Sequence, residues 1–465
     1  MAATPVIDVA QIIDEQRMGP FHWKVVVLSF LIMLVDGYDI VAIAYVAPLL
    51  REQWGFPAAA LGPLFGAGLL GGLFGPPIFG YLADRFGRKP TILWGSVWFG
   101  LFTLLQVWAP SLAAMMALRF IAGIGIGGVL PIGTALVAEF APRRIRGTMI
   151  VMGVVGVALG GGLAGLVAAQ FMSIYGWQVV FWTGGIAPLA FALVGIFVFP
   201  ESIKFLTLKP QRRAELVKLL AKLKPGFVAP ADARFLISDE VNRPQFSFKA
   251  LFAGPLAVVT PLYWTTNLIN LLVFFFVNQW TPALLASTGV SVQRAALATA
   301  AFQLFGFLGA LAIMRPVDRY GFLPVPVLFA IGIPVIAAIG LPGMSDTAII
   351  ALAGVAGFCI IGIQFGIIST ESQVYPTYIR SWGIGSCYAL GRAGSVIGPV
   401  AAGILVGMNF SVQSLFYVAG LIMIVGLIVS IILAPLYRKQ LDDMHAIAAA
   451  AAAPGIAQPS AELEA

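Results

Sequence analysis

Asp84-Arg85-Phe86-Gly87 and, 234 residues later, Asp318-Arg319-Tyr320-Gly321 are two copies of one short charged turn set between long apolar runs. Two further positions keep the same offset: Pro142 and Arg146 are matched by Pro376 and Arg380. Shared spacing across separate loops points to an ancestral duplication, one half of the chain repeating the other. Outward from each turn the chain is apolar for stretches of about 20 residues, the length that crosses roughly 30 Å of hydrocarbon. Such runs begin near Lys24, Ala58, Pro90, Ser111, Met149 and Gln178, then near Pro255, Arg294, Pro324, Thr347, Ser381 and Gln413. The expected fold is an all-α polytopic membrane protein, twelve transmembrane helices in two six-helix repeats.

Composition agrees. Of 465 residues, 60% are hydrophobic and 10% charged, whereas soluble domains carry about 25% charged residues. Cys359 and Cys387 lie inside apolar runs and are expected to be free buried thiols. Met1–Pro20 has acidic residues and no apolar core, so it does not resemble a signal peptide. The expected division is a cytoplasmic N-terminal segment 1–23, a six-helix bundle 24–200, a polar cytoplasmic linker 201–254, a second bundle 255–437 and a cytoplasmic tail 438–465. Orientation follows from counting. With the N-terminus inside, only Arg51 and Arg294 of the 27 Lys and Arg fall on the outer side, apart from Arg119 and Arg392 within helices. The positive-inside rule expects that bias, and an even helix number puts both termini in the cytoplasm of a cell (inner) membrane protein. The net charge of +7 then reflects topology and membrane lipid contact; no nucleic acid partner, metal site or catalytic constellation is expected, and the chain is not read as an enzyme.

Four charged residues stand where hydrocarbon is expected. Asp36 lies about 18 Å into its helix from Lys24, and Asp39, three residues on, shares its face. An ionisable group at that depth costs roughly 2.5–3.5 kcal/mol, and two close carboxylates in low dielectric do not both ionise easily. That is the property a proton-coupling site requires. Arg119 and Arg392, one in each half, hold permanent guanidinium charges that bind carboxylates in a fork. Arg392 is expected to bind an organic anion, and Arg119 to relay protons or pair a carboxylate. At the 234-residue offset Asp36, Asp39, Arg119 and Arg392 map to Asn270, Val273, Ala353 and Ala158, so the scaffold does not itself require these charges. Trp264 and Tyr388 are candidates to stack a ring, and Asn267 and Gln303 to bind its polar groups.

The turns supply a second group. Asp84, Arg85, Arg88, Glu139, Arg146, Asp318, Arg319, Glu371 and Arg380 lie at cytoplasmic helix ends, where ion pairs between helices close or open that side. Gly80 and Gly87 permit sharp turning beside them. Glycines from Gly123 to Gly128 and from Gly153 to Gly165 suit close helix crossings and follow no strand, so they are no dinucleotide fingerprint.

Gly80-Tyr81-Leu82-Ala83-Asp84-Arg85-Phe86-Gly87-Arg88-Lys89 resembles the signature between helices 2 and 3 of the major facilitator superfamily. Asp36-Gly37-Tyr38-Asp39 resembles the first-helix motif of its aromatic acid:proton symporters. Arg119 with Gly123-Ile124-Gly125-Ile126-Gly127-Gly128 resembles their fourth helix, and Tyr375-Pro376-Thr377 with Arg380 and Arg392 their tenth and eleventh. The resemblance implies import of a small aromatic acid anion, benzoate- or hydroxybenzoate-like, together with protons by alternating access. No cofactor is implied, the proton gradient is the energy source, and a monomer is expected. Pro200-Glu201-Ser202 also resembles sugar porters, so a sugar or other organic-anion porter is the alternative within transport. A non-transporting receptor or sensor is the alternative of another class, although no large soluble domain accompanies the helices. The absence of a Gly-Pro step in helix 5 favours symport over drug antiport.

Overall fold

A backbone crossing hydrocarbon must satisfy its own hydrogen bonds, so apolar runs of this length become helices. The computed structural model describes residues 6–224, 226–230, 233–237, 248–376 and 379–452. Thr377 and the tail beyond Ala452 lie outside the described residues. The six helices before the linker are α1 (Pro20–Trp54), α2 (Ala58–Phe86), α3 (Arg88–Trp108), α4 (Leu112–Phe140), α5 (Arg146–Tyr175) and α6 (Gln178–Val198). Those after it are α7 (Leu256–Ser287), α8 (Val292–Tyr320), α9 (Pro324–Ile339), α10 (Asp346–Val374), α11 (Arg380–Gly407) and α12 (Val412–Ala452). Starts are chemically marked: Ser111, Ser291 and Ser345 cap α4, α8 and α10 through their hydroxyls. Among the described residues eleven helices are long and apolar enough to cross a membrane; α9 has only 16 residues.

The repeat is visible in the packing. In the first half α1 packs on α5, α2 on α4 and α3 on α6; in the second, α7 packs on α11, α8 on α10 and α9 on α12. The α2–α4 crossing and its counterpart α8–α10 share one device. A Cβ added at Gly123 would overlap the Gly68 carbonyl, and one at Gly357, 234 residues on, would overlap the carbonyl of Phe302. Only glycine allows backbones to approach so closely. Large apolar side chains such as Leu193, Phe197, Leu421 and Ile431 stand exposed on the helices' outer faces, a pattern that suits lipid rather than water.

The halves meet through α5–α8, α2–α11 and α1–α7. Their close contacts lie away from the linker: Gly62 against Gly403, Gly66 against Val400, and Phe65 edge-on to Trp280 at 5.5 Å. Towards the linker end, a Cβ at Gly80 of α2 or Gly385 of α11 would meet no atom within 4 Å. The halves are thus apposed at the far end and parted at the linker end.

Two regions read as polar connections contain structure. Arg213–Leu223 is an amphipathic helix burying Leu216, Leu219, Leu220 and Leu223, a spacing that keeps one apolar face. Before α1, Val6–Asp8 pairs in parallel with Arg234–Leu236 of the linker, and the helix Val9–Glu15 buries Val9, Ile12 and Ile13. Arg144 of the α4–α5 turn donates to the Asp14 and Gln16 carbonyls, pinning this segment beneath the first half.

Candidate functional site

Midway along the bundle, α1, α2, α4, α7 and α11 surround a small crevice of about 20 Å³. Arg119 enters it from the first half and Arg392 from the second, with Gln279 beside them. Phe65, Leu69 and Ile126 supply apolar wall. Gly68 and Gly72 leave room for the guanidiniums: a Cβ at Gly68 would stand 3.5 Å from Arg119 Nε, and one at Gly72 would stand 3.6 Å from Arg392 Nη1.

The two arginines differ in their partners. Arg119 is buried; its Nη1 donates to Asp39 Oδ2 at 3.1 Å and its Nη2 to the Asp39 carbonyl at 3.0 Å. Thr103 of α3 donates its hydroxyl to Asp39 Oδ1 at 2.6 Å. This pair carries no net charge and is enclosed by three helices, while Arg119 Nε is buried without a hydrogen-bond partner. Arg392 is half-buried, and Nε and Nη2 both donate to the Tyr388 hydroxyl, at 3.0 and 2.5 Å. Its guanidinium also lies over that ring, 5.1 Å from the centroid. No carboxylate among the described residues forms an ion pair with it. Asp36 is fully buried, and neither carboxylate oxygen accepts a hydrogen bond; Arg392 and Asp39 are the charged groups acting on it.

The other proposed substrate contacts fall elsewhere. Tyr388 holds Arg392 as just described. Trp264 does not line the crevice: its indole N–H donates to Ser386 and its ring packs edge-on to Phe252. Asn267 is likewise engaged, donating to the Cys387 carbonyl and accepting from Gln364, which in turn accepts from Asn270. Gln303 faces Gly161 of α5 at the junction of the halves. Residue type does not fix direction, and helix rotation turns Trp264, Asn267 and Gln303 from the crevice. Gln279 and Thr103 are site residues beyond the sequence candidates; the signal for Gln279 is a polar Asn278-Gln279 pair inside an otherwise apolar run.

At the linker end the charges cluster within the first half. Arg88 pairs with buried Glu139 at 2.8 Å. Glu139 also accepts from the Ser202 hydroxyl. Glu201 caps the start of α3, its Oε1 accepting from the N–H groups of Arg88 and Lys89 at 2.9 and 3.1 Å, where a helix end favours negative charge. Gly87 adopts φ +104°, and a Cβ there would overlap Glu201, so the turn needs glycine. Arg85 donates to the Tyr81 hydroxyl, Arg146 to the Ala141 carbonyl and Arg380 to the Tyr375 carbonyl. Asp84, Asp318 and Arg319 are exposed, Arg319 lying over Tyr320. Glu371 is buried beside the Cys387 thiol and forms no ion pair among the described residues. None of the ion pairs among the described residues spans the two halves, which agrees with their separation at this end. Glu201, from the Pro-Glu-Ser stretch that resembles sugar porters, is the hub of the network.

Comparison with known proteins decides the family. Residues 29–379 match the Major Facilitator Superfamily. The chain belongs to that superfamily. This facilitator is 31% identical over 414 residues, 89% of its length and 92% of the relative's, to the 4-hydroxybenzoate transporter PcaK of Pseudomonas aeruginosa. It is 32% identical to a gallate transporter of Pseudomonas putida, over 89% of this chain and 92% of that one. A benzoate transport protein of Acinetobacter baylyi is 30% identical, over 90% and 91%. Among solved structures, the xylose transporter XylE of E. coli in a partially occluded inward-open conformation superposes with a TM-score of 0.68 at 17% identity, covering 88% of this chain and 97% of that one. The backbone is thus shared with a sugar carrier, whereas sequence likeness runs to aromatic acid carriers.

Proposed function

We propose that this facilitator imports an aromatic carboxylate together with protons, by alternating access, across the cell inner membrane. The observation that carries the reading is the charge balance of the crevice arginines with Asp36, which is buried outside the crevice lining and is acted on by Arg392 and Asp39. Arg119 is neutralised by Asp39, leaving Arg392 without a carboxylate partner and Asp36 without a hydrogen-bond donor. With Asp36 ionised, the two remaining charges offset one another through space. With a proton on Asp36, the crevice keeps one net positive charge at Arg392, complementary to one organic anion. Proton and anion therefore favour each other's binding, as coupled symport requires. Asp39 and Arg119 set the potential around Asp36.

The excess of basic residues on the linker side supports a cytoplasmic position for that end, and in that orientation the present arrangement faces inward. Rocking of the halves about the crevice closes the linker end, brings the Arg85, Asp84, Asp318 and Arg319 turns together, and opens the far end. Sequence likeness to benzoate, hydroxybenzoate and gallate carriers supports the substrate class. The test is uptake of radiolabelled benzoate and 4-hydroxybenzoate into proteoliposomes, with and without an inward proton gradient. Accumulation should follow the gradient, collapse with a protonophore and fail in D36N. Uptake indifferent to the gradient sinks the coupling; competition by xylose but by no aromatic acid sinks the substrate class.

A further inference from the structure

Gln279 is 1% exposed and lines the crevice alongside the two arginines. Its Nε2 donates to the Ile40 carbonyl of α1, 3.1 Å across the junction of the halves. A carbonyl oxygen only accepts, so this bond settles the amide's orientation and leaves Oε1 as the remaining polar atom. Oε1 is buried and accepts no hydrogen bond. Among the described residues that line the crevice the other side chains are apolar or guanidinium, so there Gln279 Oε1 is the side-chain acceptor in a wall otherwise made of cationic donors and hydrocarbon. A carboxylate satisfies the arginines but offers nothing to an acceptor. A ligand group that donates is what completes the site.

We propose that Gln279 reads a ring hydroxyl, so that the crevice selects hydroxylated aromatic acids over their unsubstituted or methylated counterparts. The reading rests on the aromatic-carboxylate function above and goes beyond it by assigning the polar contact remote from the carboxylate. When rocking of the halves widens the crevice beyond its present volume of about 20 Å³, the carboxylate sits at Arg392, the ring packs against Phe65, Leu69 and Ile126, and the hydroxyl donates to Gln279 Oε1. Phe65 is itself held edge-on by Trp280, the neighbour of Gln279, which couples ring wall and acceptor in one rigid turn of α7. Since Gln279 also grips the residue following Asp39, an occupied hydroxyl contact steadies the same junction on which coupling depends.

The experiment is competition against radiolabelled benzoate uptake in proteoliposomes holding the full chain, using unlabelled 4-hydroxybenzoate, 4-methoxybenzoate and benzoate. The methyl ether keeps the ring oxygen and cannot donate. In the unaltered protein 4-hydroxybenzoate should compete about tenfold better than the other two, the value of one hydrogen bond to a buried acceptor. In Q279M the advantage should shrink to less than about threefold, read as the ratio of 4-hydroxybenzoate to benzoate competition so that a general loss from the missing Ile40 bond cancels. Equal competition by all three acids in the unaltered protein overturns the inference, whatever Q279M does, and this arm needs no variant to fold. An undiminished advantage in active Q279M overturns it too. If Q279M does not assemble, Q279N, which withdraws the acceptor by one methylene, is read by the same criterion. Failure of benzoate itself to be transported overturns the function on which the proposal rests and is distinct from transport without hydroxyl discrimination.

Discussion

Removing Arg119 should expose how much of the bundle's stability resides in one buried ion pair. In the native arrangement Asp39 receives Arg119 on Oδ2, Thr103 on Oδ1 and the second Arg119 nitrogen on its carbonyl. R119M leaves the carboxylate, 0% exposed, with the threonine alone. Breaking a buried pair by deleting one partner costs about 3–5 kcal/mol, because the remaining charge is stranded. D39N strands the guanidinium instead, although Arg119 keeps its bond to the backbone carbonyl, so the lower end of that range, about 3 kcal/mol, is expected. The double variant D39N/R119M removes both charges, and its loss should be well below the sum of the singles. A coupling of at least about 2 kcal/mol is expected for residues in direct contact. Unfolding free energies from denaturant titration of the purified protein in mixed micelles give all three values. Singles that add to the double within about 0.5 kcal/mol refute the reasoning, since additivity means that the pair does not interact. Uptake separates stability from coupling. The double variant should be folded yet unable to couple accumulation to the proton gradient.

The remaining predictions concern the anion site, the turns and the helix crossings. R392K keeps the charge but loses the guanidinium fork that Tyr388 aligns, and its KM for benzoate should rise at least about tenfold in uptake kinetics; Y388F should give a smaller rise, about three- to tenfold. E201A removes the carboxylate that caps α3 and should lower unfolding free energy by about 1–2 kcal/mol, with E201Q intermediate in the same titration. G357V drives a side chain into the Phe302 carbonyl and should cost at least about 3 kcal/mol, read as loss of monodisperse protein in size-exclusion chromatography. Outside the membrane, hydrogen bonding to Arg212 holds the Glu215 carboxyl below its usual range. A depressed carboxyl contributes stability above its unfolded pKa that is lost as pH falls through the folded one. Both side chains are more than a third exposed, so E215Q should change stability by less than about 0.5 kcal/mol between pH 3 and pH 7.

The sequence by itself determined the membrane class, twelve apolar segments, the repeat and the four charges buried among them. Each is a local or periodic property: a run of about 20 apolar residues, a fixed offset, or a charge interrupting hydrocarbon. Helix starts were legible to within a few residues because Ser, Pro and Gly mark them. The linker helix Arg213–Leu223 was written just as locally, in leucines spaced 3, 1 and 3 apart, but its polar surroundings hid it. The strand pairing of Val6–Asp8 with Arg234–Leu236 was not legible, since it joins residues more than 220 apart without any run of its own. Partnership within the site belonged to tertiary structure alone. Asp36 and Asp39 are equivalent by composition and spacing, yet α3 and α4 bring Thr103 and Arg119 to Asp39 and bring Asp36 no donor. Trp264 and Gln279 lie on one helix, but its rotation sends the first to Ser386 and the second into the crevice. Hydrophobicity decides that a helix lies in the membrane; only the crossings of its neighbours decide which of its polar residues meet a charge, and that is where function separates from scaffold.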